Sequence, residues 1–258
     1  MKYETLELEP RGEHVLLVRL NRPQVLNALN TQMGHDLLDL WTRLTAEPGA
    51  SRCIVLTGSG ERAFCAGADL KERDGMSQAV WQAQHELFER GFVALMELPL
   101  PVIAALNGHA FGGGLEIALC CDFIYAAAGA RFALPEVRLG IMPGGGGTQN
   151  LARAVGERRA KELILSARQF TADEGVSWRA FNRIGTLNDA LETADAIAAN
   201  APLAVRQAKK SIHYGLQTDL LTGYRFEIEA YNRLVDTDDR REGVRAFNEK
   251  RKPAFRGR

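Results

Sequence analysis

Three short runs in this chain, Cys53-Ile54-Val55-Leu56-Thr57, Val102-Ile103-Ala104-Ala105-Leu106 and Phe123-Ile124-Tyr125-Ala126, are apolar at nearly every position and are separated by segments of helical character. Strands without polar alternation have both faces covered, so these runs predict a buried sheet flanked by helices. The helices are legible: Leu29, Met33, Leu37, Trp41 and Leu44 recur every three or four residues from Asn27 until Pro48-Gly49 closes the segment, and a second helical stretch covers about 77–96. A helix over 115–121, strands over 123–126 and 131–133 and a helix from about Gln149 repeat the order, which is that of a layered α/β fold. At the start, alternation over 4–8, the turn-like Pro10-Arg11-Gly12 and the run from Val15 to Leu20 predict a hairpin. Beyond Ala201-Pro202 the chain reads as wholly helical, with Leu220, Tyr224, Ile228, Tyr231 and Val235 on one stripe. That change sets a boundary near residue 200, between a 1-200 core and a 201-258 helical interaction region. The strand-helix units share no residue-level repeat, so periodicity alone does not define a solenoid.

Charge narrows the partners. Of 258 residues, 32 Lys and Arg balance 32 Asp and Glu, which leaves no net field to draw in nucleic acid or an anionic membrane. Cys53, Cys65, Cys120 and Cys121 lack the paired spacing of a zinc site and read as reduced core thiols. His14, His35, His85, His109 and His213 are scattered without metal spacing, so no metal is expected. The opening MKYETLELEPRGEH has neither an apolar signal core nor an Arg-rich presequence, and no apolar run reaches the length of a membrane span. The expectation is a soluble chain of a reducing compartment: the cytoplasm, or an organellar matrix in a mature form.

The chemistry concentrates in Phe111-Gly112-Gly113-Gly114-Leu115-Glu116-Ile117-Ala118-Leu119-Cys120-Cys121, where three glycines join a buried strand to an apolar helix. An acid in such a helix is costly unless paired, protonated or functional. Glycines at a helix start expose backbone N–H groups and let a ligand approach the main chain, which would set Glu116 one turn from an oxyanion-binding Gly113. Taken alone, Glu116 reads equally as a first-turn acid that complements the helix dipole, and the glycines as close packing. Glu136, in Leu134-Pro135-Glu136-Val137, alone reads as a solvated loop acid; its pairing with Glu116 makes it a candidate. Ala66-Gly67-Ala68-Asp69-Leu70-Lys71 could supply a second oxyanion donor, or be a tight turn with Asp69 as a helix cap. Pro143-Gly144-Gly145-Gly146-Gly147-Thr148-Gln149 looks like a phosphate cradle but lacks the Gly-Lys-Ser/Thr ending of a P-loop, and fits better as a turn opening a helix near the active site.

In their order, these motifs resemble the enoyl-CoA hydratase/isomerase, or crotonase, family. The resemblance also takes in Asn21-Arg22-Pro23 with Asn27-Ala28-Leu29-Asn30, and Asp238-Asp239-Arg240-Arg241-Glu242-Gly243 with Phe247-Asn248-Glu249-Lys250-Arg251-Lys252-Pro253, so it covers nearly the whole chain. It implies an α/β superhelix of ββα units with a C-terminal helical trimerisation region, and a homotrimer or a homohexamer built as a dimer of trimers. It further implies an acyl-CoA substrate, no separate cofactor, and catalytic glutamates at Glu116 and Glu136, both of which hydratases of this type carry. The oxyanion donors would be the N–H groups of Ala68 and Gly113. Gly112 and Ala66, Gly67, Ala68, Asp69, Leu70 and Lys71 would meet the substrate. The implied reaction adds water across the 2,3 double bond of a 2-enoyl-CoA thioester, with Glu116 as base and Glu136 as acid.

Residues 161–168 and the tail also resemble the methylglutaconyl-CoA hydratase branch, so a specialised acyl-CoA hydratase, an isomerase or a hydrolase stands as an alternative. Some members of that branch bind AU-rich RNA through a lysine-rich first helix; no Lys occurs here between Tyr3 and Leu70, which weighs against an RNA-binding protein on this fold. The chain departs from the family pattern at Gln24, where a basic residue is frequent, at Asn150, where Arg is common, and at Arg179, which replaces a glycine expected to end a helix in the left-handed region.

Overall fold

The hairpin forms, one step later than the alternation suggests. In the computed structural model, which describes residues 2–258, β1 (Leu6–Arg11) pairs antiparallel with β2 (Val15–Leu20), so Pro10 and Arg11 lie in the strand and the turn falls beyond them. Pro10 is tolerated because β1 is the edge of its sheet, where a missing N–H costs no ladder bond. The first long helix, α1 (Thr31–Ala46), starts later than Asn27 because Asn30 caps it through a hydrogen bond from the Met33 N–H, while Asn27 sits at φ 56°.

The three apolar runs are the inner strands of one sheet. β3 (Cys53–Gly58) lies parallel to β2, and β4 (Ala63–Cys65) follows it into a second sheet; α2 (Leu70–Arg73) and α3 (Gln78–Met96) complete the turn. The next turn repeats the plan with β5 (Val102–Leu106), β6 (His109–Phe111) and α4 (Gly113–Cys120). A further turn has β7 (Phe123–Ala126), β8 (Arg131–Ala133), α5 (Gly147–Val155) and α6 (Glu157–Ser166). The large sheet has the order β1-β2-β3-β5-β7, with β3, β5 and β7 parallel, and the second runs β4-β6-β8. This is an α/β superhelix of ββα units, and two structural strands are all each turn needs to share; no sequence repeat is required.

The strands β9 (Phe170–Thr171) and β10 (Arg183–Ile184) close the two sheets, with α7 (Ala172–Ser177) between them and α8 (Leu187–Ala198) after them. Alternate residues of the large sheet face opposite cores. Leu17, Val55, Ile103 and Ala105 pack with Ala190, Leu191 and Ala194 of α8, whereas Val18, Ile54, Leu56 and Ala104 join the main core with Trp41 and Phe64. That double coverage is why β3 is buried at all six positions.

The helices α9 (Pro202–Gly215), α10 (Leu220–Val235) and α11 (Asp238–Asn248) finish the chain. Leu220, Tyr224, Ile228, Tyr231 and Val235 of α10 are all exposed. The tail folds back: buried Asp239 accepts from the N–H groups of Arg256 and Gly257, at 2.7 and 2.8 Å. Arg179 does take a left-handed conformation, φ 67°, so the path a glycine would allow is kept despite its side chain. Gln24 lies in a short 3-10 turn, Pro23–Val25. All four cysteines are free thiols, and burial raises the pKa of each. Among the described residues, no helix is long and apolar enough to cross a membrane.

Candidate active site

One wall of the site is made of main chain. Fully buried Asn27 donates from Nδ2 to the carbonyls of Ser59 and Ala63, at 2.9 and 3.0 Å, and accepts from the Arg22 N–H, which ties the end of β3 to the following loop. Residues after β4 then run beside Leu29: the Leu29 N–H donates to Gly67 O at 2.8 Å and the Asp69 N–H to Leu29 O at 2.9 Å. In this parallel bridge the Ala68 N–H points away from Leu29 and donates to no other backbone oxygen. Asp69 both caps α2, accepting from the Lys71 and Glu72 N–H groups, and pairs with Arg22 Nη1 at 3.0 Å. Those bonds hold its carboxyl below the usual range against the opposing effect of burial.

The second strand of that wall is the start of α4. Gly112, at φ 51° and ψ −130°, turns the chain from β6 into the helix, a conformation that L side chains rarely adopt. A Cβ on Gly114 would lie 2.3 Å from Cys65 O, and one on Gly67 2.7 Å from Phe111 O, so glycines let the two loops touch backbone to backbone. Gly113 is the first residue of α4, and its N–H has no acceptor within the helix. Ala68 and Gly113 thus bring two uncommitted donors to one cavity, the second reinforced by the positive end of a helix.

Two carboxylates enter the same cavity. Glu116, 4% exposed, stands on the first turn of α4, and its Oε1 accepts from the N–H groups of Gly145 and Gly147, at 2.7 and 2.9 Å. The glycine run that resembles a phosphate cradle therefore cradles the protein's own carboxylate; a Cβ on Gly147 would come 2.9 Å from that oxygen. Burial raises the Glu116 pKa, and the two N–H groups oppose the rise. Glu136, 9% exposed, follows β8 and Pro135 in a 3-10 turn; both its oxygens are buried without a hydrogen-bond partner. Burial pushes it up to about 7, with a further push from the charge of Glu116. Two acids in one cavity are thus held differently, one by donors and one by none.

The cavity has a volume of about 470 Å³. Its apolar side is built from Leu29, Trp81, Phe88, Phe92, Leu139, Ile141 and Met142, and Arg73 and His85 also line it. Of the site residues read from the sequence, Ala66, Gly67, Ala68, Leu70, Gly112, Gly113, Glu116 and Glu136 come together here. Asp69 and Lys71 do not line the cavity: Asp69 is turned to Arg22 and the cap, and Lys71 is exposed. Asn150 is turned inward too, its Nδ2 3.5 Å from Cys120 Sγ. The sequence reading passed over the wall from α3, although Trp81, His85, Phe88 and Phe92 recur at helical spacing and so share a face.

A main-chain pair able to take the charge of a thioester oxygen, set beside two buried acids on a ββα superhelix, defines the class as a crotonase-fold enzyme. The chain belongs to the enoyl-CoA hydratase/isomerase family, whose model matches residues 11–258. It is 41% identical over 256 residues to a short-chain-enoyl-CoA hydratase of Clostridium acetobutylicum, spanning 98% of this chain and 97% of the relative. It is 38% identical over 259 residues to a crotonyl-CoA hydratase of Syntrophomonas wolfei, spanning 99% of each. The crystal structure of an enoyl-CoA hydratase from Bacillus anthracis superposes with a TM-score of 0.96 at 41% identity, covering 99% of this chain and 100% of that one.

Proposed function

We propose that Glu116 and Glu136 carry the hydration of a 2-enoyl-CoA thioester by this enzyme, with the Ala68 and Gly113 N–H groups as the oxyanion donors. The observation that carries the assignment is the contrast between the two acids. Burial raises both acids, but Glu116 is held by two backbone donors that favour its ionised form and oppose the rise, whereas Glu136 has no such partner and is pushed up to about 7.

In this reading the thioester oxygen accepts from both N–H groups, and water lies against the two carboxyls. Water attacks the β-carbon as Glu116 takes one of its protons. The electrons of the double bond move onto the thioester oxygen, where fixed donors in a dry cavity stabilise the charge without reorganising; one such donor is typically worth ~10²- to 10³-fold in rate. Glu136 then delivers its proton to the α-carbon, giving the 3-hydroxyacyl-CoA. Exchange of a proton from Glu116 and to Glu136 resets the pair. No step in this sequence calls for a separate cofactor.

The exposed apolar stripe of α10 supports a division into a 1-200 catalytic core and a 201-258 oligomerisation region, and assembly as a homotrimer or a dimer of trimers.

The direct test follows loss of the conjugated-enoyl absorbance of crotonyl-CoA with wild type, Glu116→Gln and Glu136→Gln. Each substitution is expected to lower turnover by ~10²-fold or more, the usual scale of acid-base catalysis. Near-wild-type rates in either variant would remove that residue from the mechanism.

A further inference from the structure

Asn150 sits on the first turn of α5 with its amide folded back against the glycine run: a Cβ on Gly146 would come 3.2 Å from its Nδ2. That nitrogen donates to two sulfurs, Cys120 Sγ at 3.5 Å and Met96 Sδ at 3.6 Å. A thioether has no proton to give, so Met96 fixes which end of the amide faces inward, and both amide protons are committed. Cys120, buried at the end of α4, passes the contact on, and its Sγ donates to Gly145 O at 3.6 Å. Burial pushes the thiol up to about 12, so it keeps the proton this bond needs.

Gly145 is therefore held at both its polar groups by one helix. Its N–H donates to Glu116 Oε1 at 2.7 Å, and its carbonyl accepts from Cys120, one turn further along α4. Such a grip is needed because residues 144–147 are all glycine. A run without side chains has little steric preference of its own to set its peptide planes, and Gly146 takes φ 94°. On the Gly147 side the start of α5 sets them, with the Asn150 and Gln149 N–H groups donating to Gly146 O at 2.8 and 3.0 Å. On the Gly145 side the thiol does so.

We infer that Asn150 is a positioning residue for the proposed base: through the Cys120 thiol it fixes the Gly145 carbonyl and so aims the N–H groups that hold Glu116. The link to turnover rests on the hydratase reading, and the link to the Glu116 carboxyl on the geometry alone. Neither Asn150 nor Cys120 lines the cavity, so substrate contacts fall to other residues. Apart from Cys120, the charged or titratable groups around Glu116 are His85 of α3, which favours its ionised form, Glu136 of the turn after β8, whose like charge disfavours it, and Arg73 of α2 on the same cavity wall.

The test uses the whole enzyme as wild type, Asn150→Leu, which keeps bulk but removes both amide protons, Cys120→Ala, and the double variant. Slackening donors that favour an ionised carboxylate lets burial raise it further. The acid limb of kcat/KM for crotonyl-CoA, which reports the free enzyme, should move up by about half to one pH unit, a loss of roughly 3- to 10-fold below the limb. Infrared difference titration of the Glu116 carboxyl, taken against Glu116→Gln, should show the same rise without turnover. Since the two residues act in series, the double variant should shift no further than the larger single shift. Asn150→Ala, which cannot overpack the site, gives the same reading if Asn150→Leu does not fold. A carboxyl titration that stays at its wild-type position in either single variant overturns the inference, even if the melting temperature falls, and so do shifts that add in the double variant. If the carboxyl titration moves as expected while the kinetic limb stays, the positioning stands and Glu116 loses the role of base. If crotonyl-CoA is hydrated and neither limb nor carboxyl responds, the positioning fails alone.

Discussion

Replacing Glu136 by glutamine should alter the pH dependence of stability in a way that isolates one buried acid. In the unfolded chain this carboxyl titrates near 4.5, and in the fold burial raises it to about 7. Between those values the native state keeps a proton that the unfolded chain has released. The native state therefore binds more protons, and the free energy of unfolding falls as pH rises through that window. Integrated between pH 5 and pH 8, the wild type loses about 2.5 kcal/mol of stability from this one group, on the scale of 1.36 kcal/mol per pH unit. The glutamine amide is also buried, but its cost does not change with pH, so it cancels when each protein is compared with itself. The stability of Glu136→Gln relative to wild type should thus grow by about 2.5 kcal/mol from pH 5 to pH 8, or roughly 5–10 °C in melting temperature for a chain of this length. Urea unfolding and thermal melts at matched protein concentration would measure it, since assembly adds its own concentration dependence. Wild-type and variant curves that run parallel across that range would refute an unpartnered, buried carboxyl at position 136.

Two further outcomes follow from the same geometry. The kcat/KM for crotonyl-CoA should be bell-shaped in pH, needing Glu116 ionised and Glu136 protonated: the acid limb lies above the ordinary range of a glutamate and the alkaline fall begins near 7. A rate that stays flat well above pH 7 would take Glu136 out of the acid's role. Gly114→Ala, whose Cβ would fall 2.3 Å from Cys65 O, should cost about 1–3 kcal/mol by overpacking and at least ~10-fold in turnover, because it pushes apart the segments that carry both proposed oxyanion donors. Melting temperature and crotonyl-CoA turnover measured together test it, and two unchanged values would show that the contact is not tight.

The layered α/β class was legible because the strand runs 53–58, 102–106 and 123–126 are buried on both faces, and continuous apolarity is what such burial demands. The superhelix was not legible in periodicity, since successive turns share geometry and not residues; it came from the resemblance. In the site, Glu116 stood out as an acid in an apolar helix. Glu136 did not stand out alone, because a Pro-Glu turn looks the same whether the fold covers it or leaves it in water. The partner of the glycine run 143–147 was hidden for a related reason: a loop that can cradle an anion does not say whether the anion is a ligand or a side chain 29 residues earlier in the chain. Asp69 could be read as cap or as ligand, and its bonds to the α2 N–H groups and to Arg22 make it the former.

Both donors proposed for the thioester oxygen are main-chain atoms, and every residue but proline supplies one. The part of the site that bears the developing charge is therefore nearly immune to point substitution, provided the glycines that let the two segments touch are kept. The walls, by contrast, are side chains from α3 and from the loop after β8, free to change one at a time. A chain built this way separates what it inherits from what it can vary. On the proposed roles, stabilisation of a thioester enolate would pass intact to any descendant that keeps the loop geometry, while the acids and the shape of the acyl chamber would be open to selection for a different proton transfer or a different substrate.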